Sequence, residues 1–193
     1  MFTKRLIENA SAMFTEVPEK FLYAYYEYQI FFDDMQNIPN KFFHEGLPDK
    51  QGIDNFALGT KHTLIILDDL ISKIVQSEDL LHLFSVTSHH KMASVVLLSQ
   101  SLCPPGKYSK SISLNCANFV LFRNPRDMRQ LTTFASQILP GMTKYFNDFY
   151  SKASRERYTY LLVDLSSHRE DRQQFMLRTG IFPTDTCVMY RPL

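Results

Sequence analysis

The feature that most constrains this fold is the apolar run TLIIL, residues 63–67, which leads directly into Asp68 and Asp69. A continuous apolar run with β-branched members is typical of a strand covered on both faces, as in a parallel sheet. In open α/β sheets, ligands bind beyond the carboxyl ends of the strands. The pattern therefore predicts a buried strand that ends in two carboxylates facing a functional crevice.

Further apolar runs predict a sheet of several strands. ASVVLLSQS, ANFVLFRN and TYLLVDLSS follow along the chain, and the aromatic-rich EKFLYAYYEYQ precedes the first run. Helical patterns alternate with them, in FTKRLIENASAMF at the start and in LISKIVQSEDLLHLFSVTS after Asp69. This alternation predicts an α/β fold. A chain of 193 residues with 45% hydrophobic composition and no linker favours a single domain over residues 1–193.

The segment after ANFVLF contains start and stop signals for a helix. Asn124 is suited to the N-cap and Pro125 to the first helical position, while Pro140 and Gly141 mark the end. We expect a helix between these signals. The C-terminal stretch QFMLRTGIFPTDTCVMYRPL predicts two short strands around a proline-containing turn.

Charge and cysteine usage set limits on location and partners. Residues 1–100 carry 8 Lys+Arg against 13 Asp+Glu, whereas residues 101–193 carry 13 against 7. A basic half is compatible with nucleic acid, although solvated helix faces produce the same imbalance. The three cysteines have no metal-site spacing, no signal peptide is recognisable and no apolar run reaches membrane-spanning length, so we expect an intracellular protein without membrane contact.

The two carboxylates admit two interpretations. As a candidate Walker B motif, Asp68 holds Mg²⁺ through water and Asp69 accepts the proton of the attacking water. Alternatively, Asp68 ends the strand and Asp69 caps the following helix. The next apolar run leads to Gln100, whose amide can donate to a phosphate while accepting from water. That order of features favours the nucleotide interpretation.

Ordered blocks over nearly the whole chain carry a family resemblance. LIILDDLISKIVQ, SHHK, SISLNCANFVLF and NPRD, with FHEGLP before them and YTYLLVDLSS and LRTGIFP after them, resemble the packaging-type ATPases of Polinton-like elements and large DNA viruses. These belong to the FtsK/HerA group of P-loop motors. The resemblance implies a three-layer, mostly parallel P-loop NTPase-like sheet. It also implies Mg²⁺ and ATP as cofactors, and double-stranded DNA, a ring of identical subunits and capsid or portal proteins as partners.

The resemblance also implies roles for individual residues. Asp68 would place Mg²⁺ through water, Asp69 would activate water, and Gln100 would report the γ-phosphate. Arg126 would reach the nucleotide of a neighbouring subunit as an arginine finger. Arg123 lies three residues before it in the sequence. For both arginines a plain surface position is an equally good interpretation.

One family element has no counterpart here. None of the six glycines lies in a GxxxxGK[ST] pattern, since GTK at 59 and GKY at 106 both fail it. The helix that begins at Phe2 or Thr3 matches the one that follows the loop, so the first strand and phosphate loop are expected to be missing. A gene model cut at an internal methionine or a degenerate element copy explains this more simply than a purposeful loss.

The missing strand and loop have structural and functional consequences. Loss of a central strand would leave unpaired neighbours on each side. We therefore expect an incomplete ATPase core that binds ATP poorly, if at all, and has little or no activity. The alternative is a non-catalytic interaction module that retains the fold.

Other conspicuous residues favour simpler interpretations. Adjacent His89 and His90 point apart on a helix or a strand, so a metal site there is not expected. The aromatics of FLYAYYEYQIFF are better explained by core packing than by base stacking. The lysines of residues 107–110 fit either phosphate contact or a solvated loop.

Overall fold

The computed structural model describes residues 2–87, 93–166 and 176–191. Its internal contacts divide the chain into two compact units, residues 1–115 and 116–193. Each unit contains one four-stranded sheet. Among the helices described, none is both long and apolar enough to cross a bilayer.

The first unit is a parallel sheet with helices between its strands. Its strand order is β2-β1-β3-β4, and all three strand pairs are parallel. The elements are α1 (Phe2–Glu8), α2 (Ala10–Met13), β1 (Lys20–Tyr25), a 3₁₀ helix (Ile30–Met35), β2 (Lys41–Glu45), α3 (Lys50–Ala57), β3 (Thr63–Asp68), α4 (Ile71–Ile74), α5 (Glu78–His82), a π-helical turn (Leu83–Thr87), β4 (Ala93–Leu98) and α6 (Ser109–Leu114).

Strand β3 is the core of this unit. The side chains of residues 64–67 are all 0% exposed, between β1 on one side and β4 on the other. The predicted strand, its parallel pairing and its coverage on both faces are thus confirmed. Burial of this apolar run provides the driving force that holds Asp68 at the carboxyl end of the sheet.

The helix expected over residues 70–88 is wrong as a single element. The chain forms α4, a break, α5 and the π-helical turn instead. Ser77 begins the second helix, since its side chain accepts a hydrogen bond from Leu80 N at 3.4 Å. A serine at this position satisfies an otherwise unpaired N–H of a first turn, which favours a new helix start over continuation.

The second unit is antiparallel throughout. Its strand order is β5-β6-β7-β8, and each described pair is antiparallel. The elements are β5 (Asn118–Phe122), α7 (Met128–Ile138), α8 (Thr143–Ala153), β6 (Tyr160–Asp164), β7 (Leu177–Thr179) and β8 (Val188–Tyr190). The last two are the short strands predicted around a turn containing Pro183.

The expectation of a mostly parallel sheet therefore holds only for the first unit. Between β5 and β6 the chain passes through two helices, α7 and α8, which contact each other. One crossover helix returns the chain for a parallel strand, whereas a helix pair brings it back to the end it left. Strand β6 consequently begins where β5 ends, with Phe122 opposite Tyr160.

The predicted start of α7 is wrong, and its end is confirmed. The helix begins at Met128 rather than Pro125, and it ends at Ile138, before Pro140 and Gly141. Asn124 accepts a hydrogen bond from Arg126 N at 3.1 Å, so it stabilises a turn instead of capping the helix. The Tyr150 hydroxyl also donates to Phe122 O and accepts from Asn124 N, each at 2.8 Å. Because these hydrogen bonds from α8 hold residues 122–124 outside the helix, α7 begins only at Met128.

Candidate functional site

Asp68 is the last residue of β3 and is half-buried. The register places it opposite Tyr25 of β1 and Leu98 of β4. Tyr23, which is 1% exposed, donates a hydrogen bond from its hydroxyl to Asp68 Oδ2 at 2.8 Å. One carboxylate oxygen is thereby held in place.

Thr3 extends this contact to the first helix. Its side chain is 2% exposed and hydrogen-bonds the hydroxyl of Tyr23, which in turn donates to Asp68. The start of α1 therefore lies at the carboxyl end of the sheet, beside the carboxylate. Sequence reasoning assigned Tyr23 to core packing and gave Thr3 no role. No local pattern identifies either residue, because the contact joins three separate elements.

The electrostatic setting of Asp68 disfavours its charged form. Burial raises the pKa of its carboxyl group, the charge of Asp69 raises it further, and the Tyr23 hydrogen bond opposes both effects. Burial also raises the pKa of the Tyr23 hydroxyl, which therefore stays protonated as a donor. A positive ion at this position would favour the charged carboxylate.

Asp69 is exposed and has a left-handed backbone, with φ 55°. The N-cap position of α4 is occupied by Leu70, which makes no side-chain capping bond. The helix-cap interpretation of Asp69 is therefore wrong. Aspartate tolerates left-handed backbone better than most residues. The turn leaves the Asp69 carboxylate in solvent next to Asp68.

Gln100 follows β4 at the same end of the sheet. Leu98, the last residue of β4, is paired with Asp68, and Gln100 lies two residues further on in an exposed turn. Ser99 shapes the turn, because its hydroxyl donates to Ser101 O at 2.7 Å and accepts from Ser101 N at 3.2 Å. The parallel pairing thus brings Asp68, Asp69 and Gln100 to one end of the sheet.

Arg126 belongs to the second unit and is exposed, as is Arg123. Both lie in the segment that Tyr150 anchors after β5. They are accordingly presented on the surface beyond the carboxyl end of that strand.

An open cavity of about 560 Å³ lies at the carboxyl ends of β1 and β2, and neither Asp68 nor Asp69 is among its lining residues. It is lined by Tyr26, Glu27, Glu45, Gly46 and Lys73. Tyr26 N donates to Asp68 O at 3.3 Å, and Lys73 Nζ lies 5.2 Å from the centre of the Tyr26 ring. The lining carries the two carboxylates of Glu27 and Glu45 and the one ammonium group of Lys73. It is therefore better suited to a cation than to a triphosphate.

The donor chemistry fits Mg²⁺. Within the described ranges, no group of three or more His, Cys, Asp or Glu side chains gathers as a metal cage, and His89 and His90 lie outside those ranges. Mg²⁺ commonly takes only one or two protein carboxylates and keeps several waters. The hard oxygens of Asp68 and Asp69 are ligands of that kind.

The architecture defines a class of protein. A four-stranded parallel sheet with helices between its strands, and acids at its carboxyl end, is an α/β protein compatible with a Rossmann-like layout. Comparison of the chain with protein-family models, curated proteins and solved structures found no match.

Proposed function

We propose that this chain is an FtsK/HerA-like DNA-packaging ATPase core that lacks the Walker A pattern. In intact relatives, ATP hydrolysis drives double-stranded DNA into a capsid. One observation carries the proposal: Asp68 ends a strand of the parallel sheet whose other residues are all buried, Asp69 follows it, and Asp68 is held by Tyr23. This placement is the one a nucleotide site needs for its metal and water ligands.

The proposed roles follow from position. Asp68 would hold Mg²⁺ through water with the carboxylate oxygen that Tyr23 does not engage. Asp69 would take the proton of the attacking water, and Gln100 would contact the γ-phosphate. Arg126 would act on the nucleotide of a neighbouring subunit in a ring. Double-stranded DNA and capsid or portal proteins are the proposed further partners.

The two sheets offer support for a missing strand. β4 stands at one end of the first sheet and β5 at one end of the second. Both carry apolar, half-buried side chains, over residues 95–98 and 119–121. Edge strands of this composition, without lysine or proline, normally have a further partner. In the family, the phosphate-loop strand lies within the sheet, so its absence would leave an unpaired edge strand.

These 193 residues are expected to hydrolyse ATP negligibly. A phosphate loop supplies a nest of backbone N–H groups and a lysine that hold most of the triphosphate charge. The sequence has no such loop, and the cavity at the carboxyl ends of β1 and β2 is lined by Glu27 and Glu45. Thermal unfolding with and without Mg²⁺-ATP, together with phosphate release, tests this point. Clear stabilisation and turnover would contradict it.

A gain-of-function experiment tests the site itself. The chain is fused after a strand and a phosphate loop that carries GxxxxGK[ST], and cooperative unfolding first establishes that the fusion is folded. We expect ATPase activity that Asp69→Asn abolishes and that Asp79→Asn, an exposed acid on α5, leaves unchanged. A folded fusion without activity would refute the proposed function. Equal activity in the Asp69→Asn fusion would refute the assignment of Asp69 as base.

The second candidate is a non-catalytic interaction module that retains the fold. The missing Walker A pattern and the acidic cavity lining favour it. It predicts that the folded fusion stays inactive while the unmodified chain still binds its macromolecular partners. The same set of proteins therefore separates the two candidates.

A further inference from the structure

An exposed basic and aromatic surface lies where β5 ends and β6 begins. We call Arg123, Arg155, Arg157 and Tyr158 the arginine–tyrosine surface. The register places Phe122 opposite Tyr160, so the residue after β5 and the turn before β6 are neighbours. Arg123 Nη1 donates to Arg155 O at 3.5 Å, which ties the two segments together.

The charge of this surface is only partly neutralised. Arg155 Nε lies 4.0 Å from Glu156 Oε1, and the two side chains are 82% and 80% exposed. An ion pair at that distance and exposure is weak. Arg123 and Arg157 are also exposed, so three guanidinium groups stand against one carboxylate. The surface is therefore suited to an anionic partner.

The stability of the fold does not explain why a tyrosine occupies position 158. Its side chain is 78% exposed, so packing does not require an aromatic ring there. Its backbone is left-handed, with φ 64°, which is an unfavourable conformation for a bulky residue and one that glycine adopts freely. Thr159 holds the turn, because its hydroxyl donates to Glu156 O at 2.8 Å. The ring is consequently presented to solvent beside the arginines.

We infer that the arginine–tyrosine surface binds single-stranded nucleic acid. Guanidinium groups match phosphate oxygens, and an exposed aromatic ring stacks on an unpaired base. In a double helix the bases are already stacked on one another, so Tyr158 gains this contact only with a single strand. The choice of a nucleic acid as the partner rests on the proposed function. The arginine–tyrosine surface itself contains no residue of the proposed nucleotide site.

Tyr158→Gly separates binding from folding. Fluorescence anisotropy with a labelled oligothymidylate measures binding by the full chain in the absence of ATP. Loss of one stacked base should weaken binding at least about fivefold. Because glycine relieves the left-handed backbone, the melting temperature should stay equal or rise. Weaker binding by a protein of equal or greater stability cannot be attributed to misfolding.

A pair of double variants tests the arginines. Arg155→Ala with Arg157→Ala should weaken binding and reduce the slope of log affinity against log salt by about 1.4 between about 50 and 200 mM salt. Lys144→Ala with Arg191→Ala removes equal charge elsewhere in the same unit. Arg191 follows β8, at the end of that sheet opposite Tyr160, and Lys144 is at the start of α8. This control should bind within about twofold of wild type and keep its salt slope.

Three results would overturn the inference. These are no binding of oligothymidylate at low salt, unchanged binding of it by Tyr158→Gly, or a loss of duplex binding in Tyr158→Gly as large as the loss of single-strand binding. The assay contains no nucleoside triphosphate. Its failure therefore leaves the ATPase proposal standing, and an inactive phosphate-loop fusion leaves this inference standing.

Discussion

A tyrosine hydroxyl decides how the Asp68 carboxylate is presented. The 2.8 Å bond from Tyr23 engages Oδ2, while Thr3 hydrogen-bonds the same hydroxyl from α1. A half-buried carboxylate without a donor would be poorly solvated and free to rotate. Tyr23 therefore both stabilises the acid and selects the oxygen that remains for a metal's water.

Removing the Tyr23 hydroxyl should destabilise the first unit. For Tyr23→Phe we expect a loss of about 1–3 kcal/mol in the free energy of unfolding, because a buried carboxylate loses its donor. Tyr25→Phe is the matched control from the same strand, since Tyr25 contacts other aromatic rings. It should change stability by less than about 0.5 kcal/mol. Urea unfolding measures the free energy of unfolding of both variants. Equal losses would show that the Tyr23 hydrogen bond contributes no more to stability than the Tyr25 hydroxyl does.

The raised pKa of Asp68 gives a pH dependence with a defined sign. Its folded-state pKa lies above the usual 3.8, so the folded state binds more protons than the unfolded state in that interval. The free energy of unfolding therefore falls as pH rises from about 3.8 through the folded-state pKa. This loss persists at neutral pH.

Asp68→Asn should accordingly be more stable than wild type at neutral pH, and its advantage should disappear in acid, below the usual carboxyl pKa. The amide oxygen still accepts from Tyr23, so the contact is kept. Melting temperatures measured across pH, with Asp79→Asn as the control, test this expectation. A variant less stable than wild type at neutral pH would reverse the sign and contradict it.

At the scale of elements, Gly106 has a packing role in the loop between β4 and α6. A Cβ at this position would lie 2.3 Å from Val75 Cγ2, at the end of α4. Tyr108 N also donates to Val75 O at 2.9 Å, so the loop is held against that helix. The Gly-Lys pair that fails the phosphate-loop pattern thus has a structural explanation.

Gly106→Ala should destabilise the protein by about 1–3 kcal/mol, because the added methyl group forces Val75 or the loop to shift. Lys110→Ala, at an exposed position in α6, is the control and should have little effect. Chemical denaturation compares the two variants. If Gly106→Ala is as stable as wild type, the close approach to Val75 is not a constraint.

Helix boundaries were the elements that local signals predicted least well. Asn124 and Pro125 are good start signals, yet the Tyr150 hydroxyl holds the chain in a turn and α7 begins at Met128. Between α4 and α5, by contrast, the local signal of Ser77 prevailed over the apolar pattern that predicted one long helix. A capping bond or a tertiary hydrogen bond outweighs the small propensity differences on which boundary predictions depend.

At the scale of the whole molecule, the chain has two compact units with separate sheets. The first unit is centred on β3, of which residues 63–67 are buried. The second is centred on β6, whose five residues are all buried. A compact unit with its own sheet and its own buried central strand can unfold on its own.

We therefore expect thermal unfolding in two transitions. Ile65→Ala, in the core of β3, should lower only one of them, and Leu161→Ala, in the core of β6, only the other; both side chains are 0% exposed. Each substitution should cost about 2–5 kcal/mol in its own unit. Differential scanning calorimetry measures the two midpoints. A single transition that both variants shift equally would show that the units unfold together.

The sequence by itself determined where the main strands lie and where the carboxylates stand. Apolar runs such as residues 63–67 are local signals, and an acid directly after a buried strand must stand at that strand's end. Only the tertiary structure decided strand direction in the second unit, the Tyr23 contact with Asp68 and the contact of Arg123 with Arg155 O. The physical reason is that these features depend on pairing between segments distant in sequence, and that pairing is set by packing and chain path rather than by local pattern.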